Sequence, residues 1–309
     1  QKIEKIYSEF ITKRSYSRWL ETENRRETWN ETVDRYRDFF LPRVPKDMVP
    51  SFLEAIEGIR NHEVVPSMRA LWSAGPALEK HNIAAYNCAY THIESISDFV
   101  DILYILMHGA GMGYSVERQY ITKLPSVPED LIDVPDTIGV SDSKEGWAMA
   151  FRELLNGIFD EGKVYDVDYS KVRPKGARLM TFGGRASGPE PLKQLFDFTV
   201  KLCKKAKGRQ LNSIECHDLA TMIANCVISG GVRRSAMISF SNLSDQRMKH
   251  AKDGQFWIEN PQRAFANNSI AYTEKPDSGI FLEEWLNLIR SGSGERGIFN
   301  AEGVRRKQA

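Results

Sequence analysis

From about residue 84 onward, short β-prone runs alternate with apolar helical stripes, and this alternation narrows the possible folds more than any other feature. Strands are expected at Ile83–Tyr90, Gly113–Val116, Ala236–Phe240, Asn268–Tyr272 and Gly297–Asn300. Helices are expected near 96–108, 190–204, 215–228 and 280–290. The first is apolar almost all round (Phe99, Val100, Leu103, Leu106, Met107), as a buried helix must be. Strands separated by helix-length segments imply a parallel sheet with right-handed crossovers. An acidic, proline-containing stretch, Asp130–Asp168, interrupts the rhythm around one clear helix striped by Trp147, Phe151, Leu154, Leu155 and Ile158.

The residues before this alternation read differently. Trp29, Val33, Tyr36 and Phe40 fall on one helical stripe and Phe52, Ile56 and Ile59 on another, with Pro42 and Pro45 between them. The expected organisation is a helical N-terminal domain over 1–82 and an α/β domain over 83–309, with an insertion at about 120–180.

Charge and cysteine content exclude several function classes. The 42 Lys and Arg nearly cancel the 41 Asp and Glu, so no global basic field points to nucleic acid. No window approaches the ~18 consecutive apolar residues of a membrane span, and the N-terminus has no apolar signal core. The four cysteines form no CxxC and no zinc-ligand spacing, so no metal is expected and a reducing cytoplasm is the better reading.

Four places carry possible chemistry. Asn87-Cys88 lies in an expected strand, where a cysteine is either a small buried hydrophobe or a redox thiol needing a second thiol. Cys203 and Cys226 fall on core stripes, whereas Cys216 beside His217 at a helix start leaves thiolate character open. Gly109–Gly113 either ends a helix or lets backbone amides approach an oxyanion. Gly230-Gly231-Val232-Arg233-Arg234 follows an apolar helix. Its glycines suggest a left-handed cap, and its arginines require an anion or a carboxylate. Asp142-Ser143-Lys144-Glu145-Gly146-Trp147 opens a helix, either self-capped or binding an anion and a ribose hydroxyl.

Taken in order, these segments resemble the monomeric, adenosylcobalamin-dependent ribonucleoside-triphosphate reductases, the class II ribonucleotide reductases. The resemblance runs from Arg14-Ser-Tyr-Ser-Arg-Trp-Leu20 through Arg26–Val33, Val65–Trp72, Asn87-Cys88 and Gly109–Val116. It continues through Asp142–Trp147, Arg173–Gly176, Phe182–Gly188, Gly231–Ala236 and Asn267–Ser269 to Gly297–Asn300. Each block is modest alone; their colinearity over nearly the whole chain makes the resemblance specific.

The resemblance implies a ten-stranded α/β barrel, of which this chain would supply the first five-stranded half. It implies that Cys88 is one member of the redox pair that reduces the ribose, and that Ser67, Asn87, Gly111 and Gly113 hold the ribonucleotide substrate. Asp142, Ser143, Lys144 and Trp147 would bind a dNTP effector, and Gly230, Gly231, Val232, Arg233 and Arg234 would form the specificity loop. The family's thiyl-radical cysteine lies in an Asn-Pro-Cys-Gly-Glu type segment after the fifth strand, and this sequence reaches Arg305–Ala309 without it. The expectation is therefore a reductase part that is inactive alone. It needs a complementary C-terminal half, most of the adenosylcobalamin site, and a thioredoxin-like reductant. The alternative is a non-catalytic dNTP-binding module or relic that keeps the effector site.

Overall fold

The computed structural model describes residues 2–177, 186–230 and 236–308. The chain divides into two compact units, Gln1–Asn87 and Cys88–Ala309.

In the first unit, Trp29–Phe40 is a helix because Thr28 and Glu31 close a reciprocal capping box at its start. It packs Val33, with Trp29 and Tyr36, against Ile56, Ile59 and Phe52 of the Val49–Arg60 helix, so both expected stripes meet. A short antiparallel pair, β1 (Trp19–Leu20) with β2 (Arg25–Arg26), precedes them. Glu27 is buried and held by the Arg35 guanidinium at 2.7 and 2.9 Å, by the Arg18 amide at 3.0 Å and by the Thr32 hydroxyl at 3.0 Å. A carboxylate so enclosed is tolerable only when its oxygens are this fully paired.

The second unit carries, in chain order, β3 (Cys88–His92), β4 (Gly111–Ser115), β5 (Ile132–Gly139), β6 (Lys163–Asp168), β7 (Met237–Ser241), β8 (Ala266–Tyr272) and β9 (Gly297–Asn300). Strands β3-β4-β7-β8-β9 form a five-stranded sheet in that order, and every pair is parallel. The sequence places the last strand correctly to the residue. The first is shorter than expected, because Asn82–Ala85 winds into a 3-10 turn. Helices Ile96–Met107 and Ser213–Ser229 contribute Leu103, Leu106, Leu219, Ile223 and Val227 to the core that takes in Met112, Tyr114 and Met237 of the sheet.

Between β4 and β7 lies the insertion. Strands β5 and β6 pair in parallel and are joined by the Lys144–Asn156 helix, a βαβ unit of its own. Sequence reading found this helix but not the two strands. Only Ile138 and Val164 are buried, and exposed or half-buried Asp, Lys, Thr, Pro and Tyr interrupt the remaining valines. Helix Glu190–Lys205 packs Leu192, Leu195 and Phe196 into the same core.

Buried charge is paired in this unit as well. The Arg296 side chain is 1% exposed and meets Glu284 at 3.0 Å, while Asp218 takes a two-pronged pair from Arg263 at 2.6 and 2.7 Å.

Candidate active face and effector cluster

In parallel strands, residues in register share a face. Cys88, Tyr90 and His92 therefore stand on the same side as Gly111, Gly113 and Ser115. The opposite side, bearing Met112, Tyr114 and Met237, is covered by helices. The first side is open along its N-terminal rows: Cys88 and Tyr90 are exposed, and Gly111, Gly113 and Ile238 half-buried. The Tyr90 ring lies over Gly113, where a side-chain carbon would come within 3.0 Å of it. Phe240 links Tyr90 to Phe299 through ring contacts of 5.9 and 4.6 Å, closing the C-terminal end of this face with aromatics. Burial, followed by the nearby Glu117 carboxylate, pushes the Tyr90 hydroxyl up to about 12, so it stays protonated at neutral pH.

All four thiols are free, and only Cys88 is exposed. Burial raises the thiols of Cys203, Cys216 and Cys226, the first to about 12. This corrects the thiolate left open for Cys216. Its neighbour His217 is itself buried and pushed down to about 3, mainly by desolvation and then by Arg263 and Lys252, so it supplies no positive charge.

The remaining expected substrate residues belong to the first unit. Ser67 is exposed at the start of the Met68–Ser73 helix, and Asn87 is exposed immediately before Cys88.

The second cluster forms at the start of the Lys144–Asn156 helix. Ser143 is the cap, its hydroxyl accepting from the Gly146 amide at 2.9 Å. The capping partner is therefore the Gly146 amide rather than Glu145. The Asp142 carboxylate accepts from Arg173 Nε at 2.6 Å, which brings the Arg173–Gly176 block to this helix start. Gly146 is obligatory: any side-chain carbon there would lie 2.5 Å from the Ser141 carbonyl oxygen. Trp147, one residue on, packs toward Gly230, where a side-chain carbon would touch its indole at 3.7 Å. The structure thus joins the expected effector helix to the first residue of the expected specificity loop. Gly230 itself is right-handed (φ −68°), and Gly231, the other glycine of the expected left-handed cap, lies outside the described residues. Gly231, Val232, Arg233 and Arg234 lie outside the described residues, as does 182–185 of the Phe182–Gly188 block.

Sequence reading missed Arg173 as a member of this cluster, because 31 residues separate it from Asp142 and only the β6 crossover returns the chain.

Comparison with known proteins fits this arrangement. The family model for the insertion domain of B12-dependent ribonucleotide reductases matches residues 128–201. The chain is 28% identical to the adenosylcobalamin-dependent ribonucleoside-triphosphate reductase of Lacticaseibacillus paracasei, over 95% of this chain and 48% of that protein. It is 29% identical to the same enzyme of Levilactobacillus brevis, over 84% of this chain and 44% of that protein.

The chain is similar to the N-terminal half of the B12-dependent ribonucleotide reductases.

The crystal structure of a B12-dependent (class II) ribonucleotide reductase superposes with a TM-score of 0.72 at 24% identity, covering 85% of this chain and 45% of that one. At that identity the superposition establishes the fold, a five-stranded parallel half of the reductase barrel. The βαβ insertion between β4 and β7 falls within the matched insertion domain. The chain spans about half the length of the curated relatives it matches. Among the described residues, no helix is long and apolar enough to cross a membrane.

Proposed function

We propose that this chain is the substrate- and effector-binding half of a ribonucleoside-triphosphate reductase. One observation carries the reading. The single exposed thiol, Cys88, stands on the open N-terminal rows of this sheet face in register with Gly111, beside the Tyr90–Gly113 pair. An exposed thiol in register with glycine leaves room for a ribose to approach both backbone and sulfur. Its role is one of two thiols that become a disulfide as the ribose 2′ hydroxyl leaves as water. Cys203, Cys216 and Cys226 are buried, so the second thiol comes from a complementary C-terminal half. A thioredoxin-like reductant then restores the pair.

Ser67, Asn87, Gly111 and Gly113 are proposed to hold the ribonucleotide. Asp142, Ser143, Lys144 and Trp147 are proposed to bind the dNTP effector, whose identity passes from Trp147 through Gly230 into Gly231–Arg234. A helix start, a carboxylate for a ribose hydroxyl and an indole for a base suit a nucleotide.

The relatives are adenosylcobalamin-dependent by name. The cobalamin site is proposed to lie mostly in the complementary half. That half would also cover β3 and β9, each of which pairs on one side only among the described strands. It would cover Leu282, Trp285, Leu286 and Ile289 as well, which repeat at helical spacing on one face and are 46–58% exposed.

Native mass spectrometry followed by a cobalamin-dependent reduction assay with CTP and ATP tests the proposal. The expected result is a stoichiometric complex with a chain or segment bearing the further cysteines, active only when assembled. A lone species that binds dNTPs without ever supporting turnover would instead establish a non-catalytic effector-binding module.

A further inference from the structure

Asn267 and Asn268 are neighbours in sequence and opposites in structure. Strand alternation turns them to different faces of β8. Asn268 faces the helices, is 2% exposed, and its amide oxygen accepts from the Ser239 hydroxyl at 3.0 Å. Its backbone amide donates to Glu295 at 3.1 Å, so this asparagine is structural on both counts.

Asn267 faces the other way. Register places it in one row with Ile238, Gly113 and Tyr90, on the face that bears Cys88. It is exposed, and among the described residues its side-chain amide has no hydrogen-bond partner. Asparagine is depleted in strands, and the side chain of this one makes no hydrogen bond within the sheet although its backbone pairs there. Neighbouring strands lie ~4.8 Å apart, so Asn267 stands roughly 15 Å from Cys88 across a flat sheet and nearer in a curled one. A thiol contact, a nucleoside and one hydrogen bond together span that distance.

The chemistry of the row selects which part of a nucleotide comes here. Tyr90, Gly113, Ile238 and Asn267 carry no charge, and a phosphate would call for a cation. A neutral amide offers one donor and one acceptor side by side, beside apolar Ile238. That pattern pairs with the edge of a heteroaromatic base.

We propose that Asn267 is a specificity-determining residue of the substrate face, hydrogen-bonding the base of a ribonucleotide whose ribose lies over Cys88. This deepens the reductase reading and rests on it.

The test measures binding of CTP, UTP, ATP and GTP to the chain, by calorimetry and by protection of Cys88 from iodoacetamide. It compares wild type with N267A and N267D, and dNTP binding is recorded in parallel. N267A is expected to weaken the preferred ribonucleotide by ~10-fold and to shrink the spread among the four bases. N267D exchanges a donor for an acceptor, so it should reorder the preference toward bases that present an amino group (cytosine, adenine and guanine) and against uracil. Affinity for dNTP should stay within about twofold in both, which separates loss of the contact from loss of the fold. An unchanged base preference in N267A, or an unchanged order in N267D, overturns the assignment of Asn267 alone. A wild-type chain that binds dNTP but protects Cys88 with none of the four ribonucleotides overturns the substrate face and Asn267 with it.

Discussion

The hydroxyl of Tyr114 on β4 lies 2.7 Å from Nδ1 of His217, and both residues are fully buried. The bond ties the strand that carries Gly111 and Gly113 to the helix that ends at Gly230. Tyr114→Phe leaves one His217 nitrogen without its partner, in addition to Nε2, which has none in the native structure. Loss of this buried hydrogen bond should cost about 1–3 kcal/mol, read from urea unfolding with an unchanged m-value.

His217 also sets a pH dependence. Its folded pKa is depressed to about 3, below the value of ~6.5 in an unfolded chain. The unfolded state therefore binds more protons in that window. Stability from this residue is complete above pH ~6.5 and is lost as pH falls toward 3. Comparing the urea midpoint of wild type and His217→Gln at pH 7 and pH 5 checks this. The wild type should fall more steeply, and parallel declines would show that other groups dominate.

The four thiols should separate cleanly by reactivity. Exposed Cys88 should be alkylated by iodoacetamide in the native state, while buried Cys203, Cys216 and Cys226 should react only on unfolding. Peptide mass spectrometry after a timed pulse measures this, and native labelling of Cys216 at a comparable rate would contradict the burial.

Gly146 and Gly139 form a matched pair. Gly146→Ala would drive a methyl group into the Ser141 carbonyl, whereas a methyl group at Gly139 meets nothing within 4 Å. The first should lower stability by about 1–3 kcal/mol and displace the Asp142–Ser143 turn. The second should stay within about 0.5 kcal/mol. Thermal unfolding gives the stabilities, and calorimetric dNTP titration should show loss of binding in the first variant only.

Asp142 and Arg173 are each about one-third exposed (32% and 37%), so their ion pair contributes at most about 1 kcal/mol to stability. Arg173→Ala should therefore leave the unfolding midpoint nearly unchanged and still weaken dNTP binding by ~10-fold, because the Asp142 carboxylate would lose the partner that holds it at the helix start. A large stability loss with intact dNTP affinity would assign the pair to the fold instead.

Much of this was legible before any coordinates. The periodicities gave the buried helix near 96–108, both N-terminal stripes and the chain positions of the five sheet strands. Each reflects burial of one face, which period alone encodes. Strands β5 and β6 were not legible, because they bury few residues and their pairing is non-local. Colinear blocks singled out Asp142, Trp147 and Arg173, but not the pairing of Arg173 with Asp142, which depends on how β6 returns the chain.

What the sequence determined by itself was the alternation of strand and helix, the local capping at Ser143, and the residue types available at each block. What only the tertiary structure decided was which neighbours face which way. Register on a parallel sheet exposes Cys88 and Asn267 on one face and buries Tyr114 and Asn268 on the other. Helix packing raises three of the four thiols and leaves Cys88 in the open. The physical reason is that desolvation and strand register belong to assembled surfaces, and a linear sequence specifies those surfaces only once its distant segments have met.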